Sequence, residues 1–360
     1  MNNPLLTVDE LRVGFHTEKG VVRAVDGVSF ELNSGEAIGI VGESGSGKTV
    51  AAKALMNLLP SYAEISGSVV FNGQDVFQMA ANKKKHFWGV EMAMIFQDPM
   101  TSLNPVKRIG EQVAESLRVH LKRSRKEALI EAGELLERVG VPEVGKRLRQ
   151  YPHELSGGLR QRVVIAMALT CSPKLLIADE PTTALDVTVQ KHILDLLDDL
   201  RRDRGMSMIL ITHDLGVVKG RTDEIMVMYG GQTMEKVSTS TLFTQMRHPY
   251  TEALLETIPR IDTPSHTRLV PIPGRPPDAI DEIGGCLFAP RCRYTTTDCL
   301  EVKAPLVDQG SGHFCACHNP VGSIDGNRAR IKNEESGLTP AGLSMAEFYI
   351  SDDSNFGSVD

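Results

Sequence analysis

The sequence predicts an α/β protein, and three observations carry that prediction. Aliphatic residues dominate while aromatics make up only 5%. Short apolar runs of strand type alternate with stretches whose apolar residues recur at helical spacing. One such run, Ala37-Ile38-Gly39-Ile40-Val41, ends at a glycine-rich turn that passes directly into a helical pattern. Strand, helix, strand in this rhythm implies a parallel sheet with crossover helices.

Taken in order, strands are expected over Leu5–Leu11, Val21–Phe30 and Ala37–Val41, then a helix over Thr49–Leu59 stopping at Pro60. From about 107 to 140 the pattern turns helical and more polar, with helices expected at Ile109–Leu121 and Arg125–Val139 as an insert in the sheet domain. A second half follows: helix Gln161–Thr170, strand Lys174–Asp179, helix Thr188–Arg201, and strands Met206–Thr212 and Glu224–Tyr229. After about 235 the sheet rhythm fails, and a helix over His248–Ile258 leads into proline-rich and then cysteine-rich sequence. The expected organisation is a main domain over 4–259 with a helical subdomain near 98–170, a Pro/Cys-rich extension over 260–320, and a tail over 321–360 without regular structure.

Charge excludes one class of function. The net charge is -7, and the tail supplies -4 of it from three Lys/Arg against seven Asp/Glu, so the body is nearly neutral. Broad nucleic-acid binding needs a field of cations; the run Lys83-Lys84-Lys85 reads as a solvated turn. The N-terminus lacks a basic segment followed by an apolar one, and no stretch approaches the ~20 apolar residues that cross a bilayer. A cytosolic chain is therefore expected, and five of its six cysteines between Cys286 and Cys317 then favour metal over disulfides.

Gly42-Glu43-Ser44-Gly45-Ser46-Gly47-Lys48-Thr49 fits the phosphate-loop pattern in the required context, after a buried strand and before a helix. The glycines let backbone N–H groups converge on phosphate oxygens, the helix N-terminus adds partial positive charge, Lys48 reaches the terminal phosphates and Thr49 offers a hydroxyl to Mg²⁺. The strand Lys174–Asp179 delivers Asp179 as a carboxylate for Mg²⁺, and Glu180 follows as a candidate base for the attacking water.

Leu155-Ser156-Gly157-Gly158-Leu159-Arg160-Gln161-Arg162 begins eighteen residues upstream of this acidic strand, counted from Ser156 to Lys174. It resembles the signature of ABC-transporter ATPases. The resemblance implies a P-loop NTPase of ABC type: a RecA-like core with an antiparallel β subdomain and a helical subdomain, followed by a small Cys-rich extension. It implies that Ser156, Gly157 and Gly158 bind the γ-phosphate of ATP held by an opposite subunit. It further implies that Gln97 is the Q-loop glutamine contacting Mg²⁺ and water, that Ala184-Leu185-Asp186 is the D-loop and that His213 is the switch histidine on the γ-phosphate. Phe15 is the candidate aromatic for stacking on adenine.

Longer phrases, Gln97–Pro105, Tyr151-Pro152-His153-Glu154-Leu155 and His248-Pro249-Tyr250-Thr251-Glu252-Ala253-Leu254-Leu255, resemble the D-type ATPases of dipeptide/oligopeptide importers, a branch that also serves nickel and some sugar uptake. The implied partners are a second ABC ATPase subunit, identical or sister, two transmembrane permease subunits and an extracytoplasmic substrate-binding protein, with no nucleic acid; the implied place is the cytoplasmic face of the membrane. Leu159 departs from the commoner Met, a change of similar volume. Soluble ABC proteins of translation or repair carry two ATPase units or a long coiled-coil insertion, neither present in this sequence; intact Glu180 and His213 speak against a regulator that binds ATP without cleaving it.

Cys286-x5-Cys292-x6-Cys299-x17-Cys317 departs from the close pairing of common zinc modules. In the D-type family this spacing is read as the ligand set of a [4Fe–4S] cluster; zinc and unligated thiols stay open, and Cys315 is an alternative to Cys317. Cys171 reads as a small buried hydrophobe.

Overall fold

The computed structural model describes residues 3–80, 83–84, 87–183, 185–258, 271–277, 280 and 284–348. Ala184 of the D-loop, Lys85, most of the proline-rich stretch and 349–360 lie outside the described residues.

Two sheets form the cassette. The smaller is antiparallel, ordered β2-β1-β4-β5, from β1 (Leu6–Thr17), β2 (Gly20–Leu32), β4 (Ala63–Phe71) and β5 (Gln74–Asp75). β1 runs six residues past the expected end, because it continues through Phe15 into a hairpin closed by Thr17 opposite Gly20. β4 was not foreseen: its residues Ser66-Gly67-Ser68 are polar and only its end is buried.

The larger sheet is ordered β11-β12-β10-β9-β3-β8-β7-β6. Its parallel heart is β3 (Ala37–Val41), β6 (Met92–Ile95), β7 (Leu175–Asp179), β8 (Ser207–Thr212) and β9 (Glu224–Tyr229). Every residue of β3, β7 and β8 is buried, as strands covered on both faces require. Register places Val41 beside Thr212, Asp179 beside Ile211 and Ile95 beside Ala178. The residues that follow these strand ends, Gly42, His213, Glu180 and Gln97, therefore meet at one edge, where open α/β sheets bind ligands.

The helices largely follow their sequence patterns. Lys48–Leu55 ends before Leu59, because Asn57 turns left-handed (φ 50°) and the Leu58 N–H closes on the Lys53 carbonyl at 2.8 Å. Arg125–Arg138 starts from a Ser124/Glu127 capping box. The helices Ile109–His120, Arg125–Arg138 and Gly157–Leu169 bury Ile109, Val113, Leu117, Leu136, Val163 and Ile165 in one core with Ile95 of β6. These helices lie between β6 and β7 in the chain and share their core with both strands.

Two expectations are corrected beyond residue 230. The sheet does not fade after 235: β10 (Gln232–Ser238) pairs with β9, and β12 (Phe314–Cys315) pairs with β10 and with β11 (Val307–Asp308). Phe288, Cys292 and Tyr294 share a core with Tyr229 and Tyr250, so the stretch from 284 is continuous with the cassette rather than appended to it. The described part of 321–360 is also not structureless. Ser323 caps a helix, Ile324–Ser336, that docks through Asn333, whose amide donates to the carbonyls of Arg293 (3.1 Å) and Thr295 (2.9 Å). Its polar surface hid it, since only Gly326, Ala329 and Asn333 are buried. Among the described residues no helix is long and apolar enough to cross a membrane.

Candidate nucleotide site

The phosphate loop is held from inside. Lys48 is 5% exposed, and its ammonium donates to the carbonyls of Gly42 (2.7 Å) and Glu43 (2.8 Å) and to Ser46 Oγ (3.2 Å). Burial pushes its pKa down, while Glu180, Asp179 and Glu43 pull the other way. Gly47 sits at φ 94°, and a Cβ there would lie 2.1 Å from the Ala24 carbonyl oxygen of β2. The close approach fixes the loop against the antiparallel sheet, and only glycine permits it.

Opposite the loop stand two adjacent carboxylates in different environments. Asp179, 1% exposed, accepts from Thr49 Oγ1 at 3.1 Å. Burial raises its pKa from the ordinary aspartate value, outweighing the hydrogen bond from Thr49 that lowers it. A buried carboxylate beside a hydroxyl, with the Gln97 side chain across the same cleft, is an oxygen donor set suited to a hard cation such as Mg²⁺.

Glu180 is held differently. Its carboxylate accepts from Gln97 Nε2 (2.9 Å) and Thr183 Oγ1 (2.9 Å) and faces His213 Nδ1 (3.2 Å). Burial would raise its pKa, but the bonds from Thr183 and His213 and the charges of His213 and Lys48 outweigh that and hold it below the ordinary range. Its backbone is left-handed (φ 44°), a strained position for a side chain of this kind. The two neighbouring carboxylates are thus pushed in opposite directions, Asp179 toward its protonated form by burial and Glu180 toward its ionised form by its partners.

Sequence reasoning missed four contributors. Thr183 bonds the Glu180 carboxylate; Tyr250 Oη accepts the Glu43 N–H at 2.8 Å; Arg291 holds the Glu43 carboxylate; Tyr229 bonds Arg291. Tyr250 belongs to the His248–Leu255 phrase, which reads locally as a capped helix and nothing more. Its hydroxyl reaches the phosphate loop across 207 positions of sequence.

The remaining predicted residues lie elsewhere. Ser156 and Gly157 are exposed at the start of the helix Gly157–Leu169, where Ser156 Oγ accepts from the Leu159 N–H. Asp186 caps the helix Val187–Arg204 through the Val189 N–H (2.9 Å), and Val187 beside it is 82% exposed. The signature helix lies close against the helix that follows the D-loop, since a Cβ on Gly158 would lie 3.0 Å from Val189 Cγ1. Phe15 is half-buried in β1, its ring 6.1 Å from that of Tyr62, and it pairs with Val22, two residues along β2 from the Ala24 that abuts Gly47.

All six cysteines are free; Cys292, Cys299 and Cys315 are buried, and Cys286 and Cys317 half-buried. Burial raises the thiol pKa of Cys286, Cys292 and Cys317, and mutual repulsion adds to it: Cys292 feels Cys317 and Cys286, and Cys286 feels Cys299. The Tyr294 N–H points at Cys292 Sγ (3.3 Å) and Asn319 Nδ2 at Cys299 Sγ (3.4 Å). Among the described residues, however, no group of three or more histidine, cysteine or carboxylate side chains is placed to hold a metal ion. Cys171 is buried against the Ser116 carbonyl, as a small hydrophobe would be.

A phosphate loop, an acidic strand and a signature helix on a two-sheet cassette with a helical insert define an ATP-binding cassette ATPase. Residues 25–183 match the ABC transporter family, and residues 234–299 match the oligopeptide/dipeptide transporter C-terminal region. The oligopeptide transport ATP-binding protein OppD of Haemophilus influenzae is 50% identical over 315 residues, 88% of this chain and 97% of that one. The dipeptide transport ATP-binding protein DppD of Escherichia coli is 45% identical over 318 residues, 88% and 97%. A dimeric ATP-binding cassette solved in a post-hydrolysis state with ADP and Pi has the same fold: TM-score 0.59, 24% identity, 65% of this chain and 98% of that one. The chain belongs to the family of oligopeptide and dipeptide transport ATP-binding proteins.

Proposed function

We propose that this chain hydrolyses ATP to drive an importer of di- and oligopeptides, working as one of two paired cassettes against membrane permease subunits. The observation that carries the reading is Glu180, ionised and aimed by Gln97, Thr183 and His213 beside the Asp179–Thr49 pair. Lys48 and the loop amides bind the phosphates; Glu180 accepts the proton of the attacking water; Gln97 and His213 orient it. Thr49, Asp179 and Gln97 would hold Mg²⁺, which when bound neutralises phosphate charge. Phe15 stacks on the adenine.

Ser156, Gly157, Gly158 and Asp186 complete the site of a second cassette, so ATP binding closes the pair and hydrolysis releases it. The helical insert passes that motion to two permease subunits at the cytoplasmic face of the membrane, which receive cargo from an extracytoplasmic binding protein. Peptide as cargo is supported by the names of the relatives; nickel or another small solute is the alternative. The cargo does not touch this subunit.

Cys286, Cys292, Cys299 and Cys317 are the residues that would hold a [4Fe–4S] cluster, a reading that rests on the resemblance of their spacing to that of the D-type family, since among the described residues they are not placed together to hold a metal ion. Two of the four free thiols, Cys292 and Cys299, face N–H groups at sulfur. Stoichiometric iron and sulfide in anaerobically purified protein is the expected result; zinc in a colourless preparation refutes it. For the ATPase, Glu180→Gln is expected to keep ATP affinity and to cut phosphate release ~10²–10⁴-fold while trapping the closed pair. Unchanged turnover removes Glu180 as the base.

A further inference from the structure

One side chain joins the cysteine-bearing segment to the phosphate loop. Arg291 ends the short turn Ala289–Arg291, directly before Cys292, and its side chain is 4% exposed. Nη1 and Nη2 grip the Glu43 carboxylate at 2.7 and 3.0 Å, a bidentate fork. Nη1 also donates to Tyr229 Oη at the end of β9 (3.1 Å), Nε to the Pro273 carbonyl (2.8 Å) and Nη2 to the Ile272 carbonyl (3.4 Å). Ile272, with Pro271, walls a cavity of about 700 Å³ whose other lining includes Glu43, Ser44, Gln97, Glu180 and His213. The guanidinium thus ties three things together: the phosphate loop, the end of a central strand and the wall of the hydrolysis cavity.

Glu43 itself poses an electrostatic problem. It puts a carboxylate inside a loop built to receive a polyanion, and its own carbonyl and N–H are already committed, to Lys48 Nζ (2.8 Å) and Tyr250 Oη (2.8 Å). An uncompensated charge there repels the triphosphate. Arginine suits the cancelling role better than lysine, since its planar fork matches the carboxylate and keeps donors for the two carbonyls.

We propose that Arg291 is a positioning residue for ATP hydrolysis, which neutralises Glu43 and clasps the phosphate loop to the C-terminal segment so that the loop accepts ATP. The proposal rests on the ATPase reading above. Its test uses the full chain, with steady-state phosphate release giving KM and kcat separately. Arg291→Ala is expected to raise KM for ATP at least tenfold with a smaller effect on kcat. Adding Glu43→Gln to Arg291→Ala is expected to bring KM back within threefold of the parent. A purely structural loss lowers the active fraction, and so kcat, without moving KM, and is not relieved by neutralising Glu43.

Should Arg291→Ala not fold, Arg291→Gln carries the same expectation, because it keeps polar donors and loses only the charge and the fork. An unmoved KM in the arginine variant, or a raised KM that Glu43→Gln does not relieve, overturns the proposal. A parent protein that does not hydrolyse ATP overturns the ATPase reading instead.

Discussion

His248 gives the fold an acid limit that can be measured. It caps the helix Pro249–Glu256, and its Nδ1 accepts the Tyr250 N–H at 3.0 Å, so that nitrogen must be unprotonated. The ring is 1% exposed and lies 6.2 Å from Phe288; the titratable groups facing it are Glu235, which accepts the His248 N–H, and His313, whose Nε2 lies 2.6 Å from Glu235. Burial pushes its pKa from 6.5 down to about 4, with the Glu235 charge opposing only in part. Between those values the unfolded chain takes up a proton that the folded chain refuses. Stability is therefore full above about pH 6.5 and lost as pH falls toward 4. At about 1.4 kcal/mol per unit, the limiting loss is about 3 kcal/mol, of which about 2 kcal/mol is spent by pH 5. His248→Asn keeps an oxygen for the cap and removes the titration. Urea unfolding followed by circular dichroism at pH 7.5 and pH 5 is expected to show the stability gap between parent and variant narrowing by about 2 kcal/mol. A gap independent of pH refutes the reasoning.

Three further outcomes are expected. Gly47→Ala, which forces a Cβ onto the Ala24 carbonyl at a φ of 94°, abolishes ATP binding in calorimetry and costs roughly 2 kcal/mol or more of stability. Phe15→Ala raises KM for ATP about tenfold, the worth of one base–aromatic stack, and also lowers the thermal midpoint, because the half-buried ring packs on the core. Asn333→Ala removes both bonds that dock the helix Ile324–Ser336, about 1–3 kcal/mol of local stability; amide exchange across 324–336 speeds up about tenfold or more while phosphate release is unchanged.

The residues proposed for the chemistry were legible because phosphate and metal binding draw on local patterns. A loop that wraps phosphate needs its glycines, lysine and hydroxyl in one string, and a buried strand must end on the carboxylates, so Lys48, Thr49, Asp179 and Glu180 are readable without the fold. The residues that hold this machinery were not legible. Arg291 reaches Glu43 over 248 positions and Tyr250 over 207, and nothing local distinguishes an arginine between two cysteines or a tyrosine in a helix from its solvated counterparts. The only signals were an acidic residue inside the phosphate loop, which calls for a cation, and an aromatic hydroxyl in a short capped helix. Among strands, β3, β7, β8 and β9 were found because burial on both faces makes them continuous apolar runs. β4 is too polar to read and β12 has only two residues, so both depend on pairing partners distant in sequence.

The seam between β10 and β12 governs how this protein can be shortened. Glu235 lies in β10 with no exposure, and its carboxylate is satisfied by the Arg247 and His248 N–H groups and by His313 Nε2 at 2.6 Å, the last supplied from beside β12. Cutting the chain after residue 259 would strip away that imidazole, strand an anion in the interior and bare a sheet edge to any neighbour able to pair with it. A minimal ATPase cannot simply be trimmed from this polypeptide: the segment that looks dispensable in the sequence closes the hydrophobic body that carries the catalytic loop.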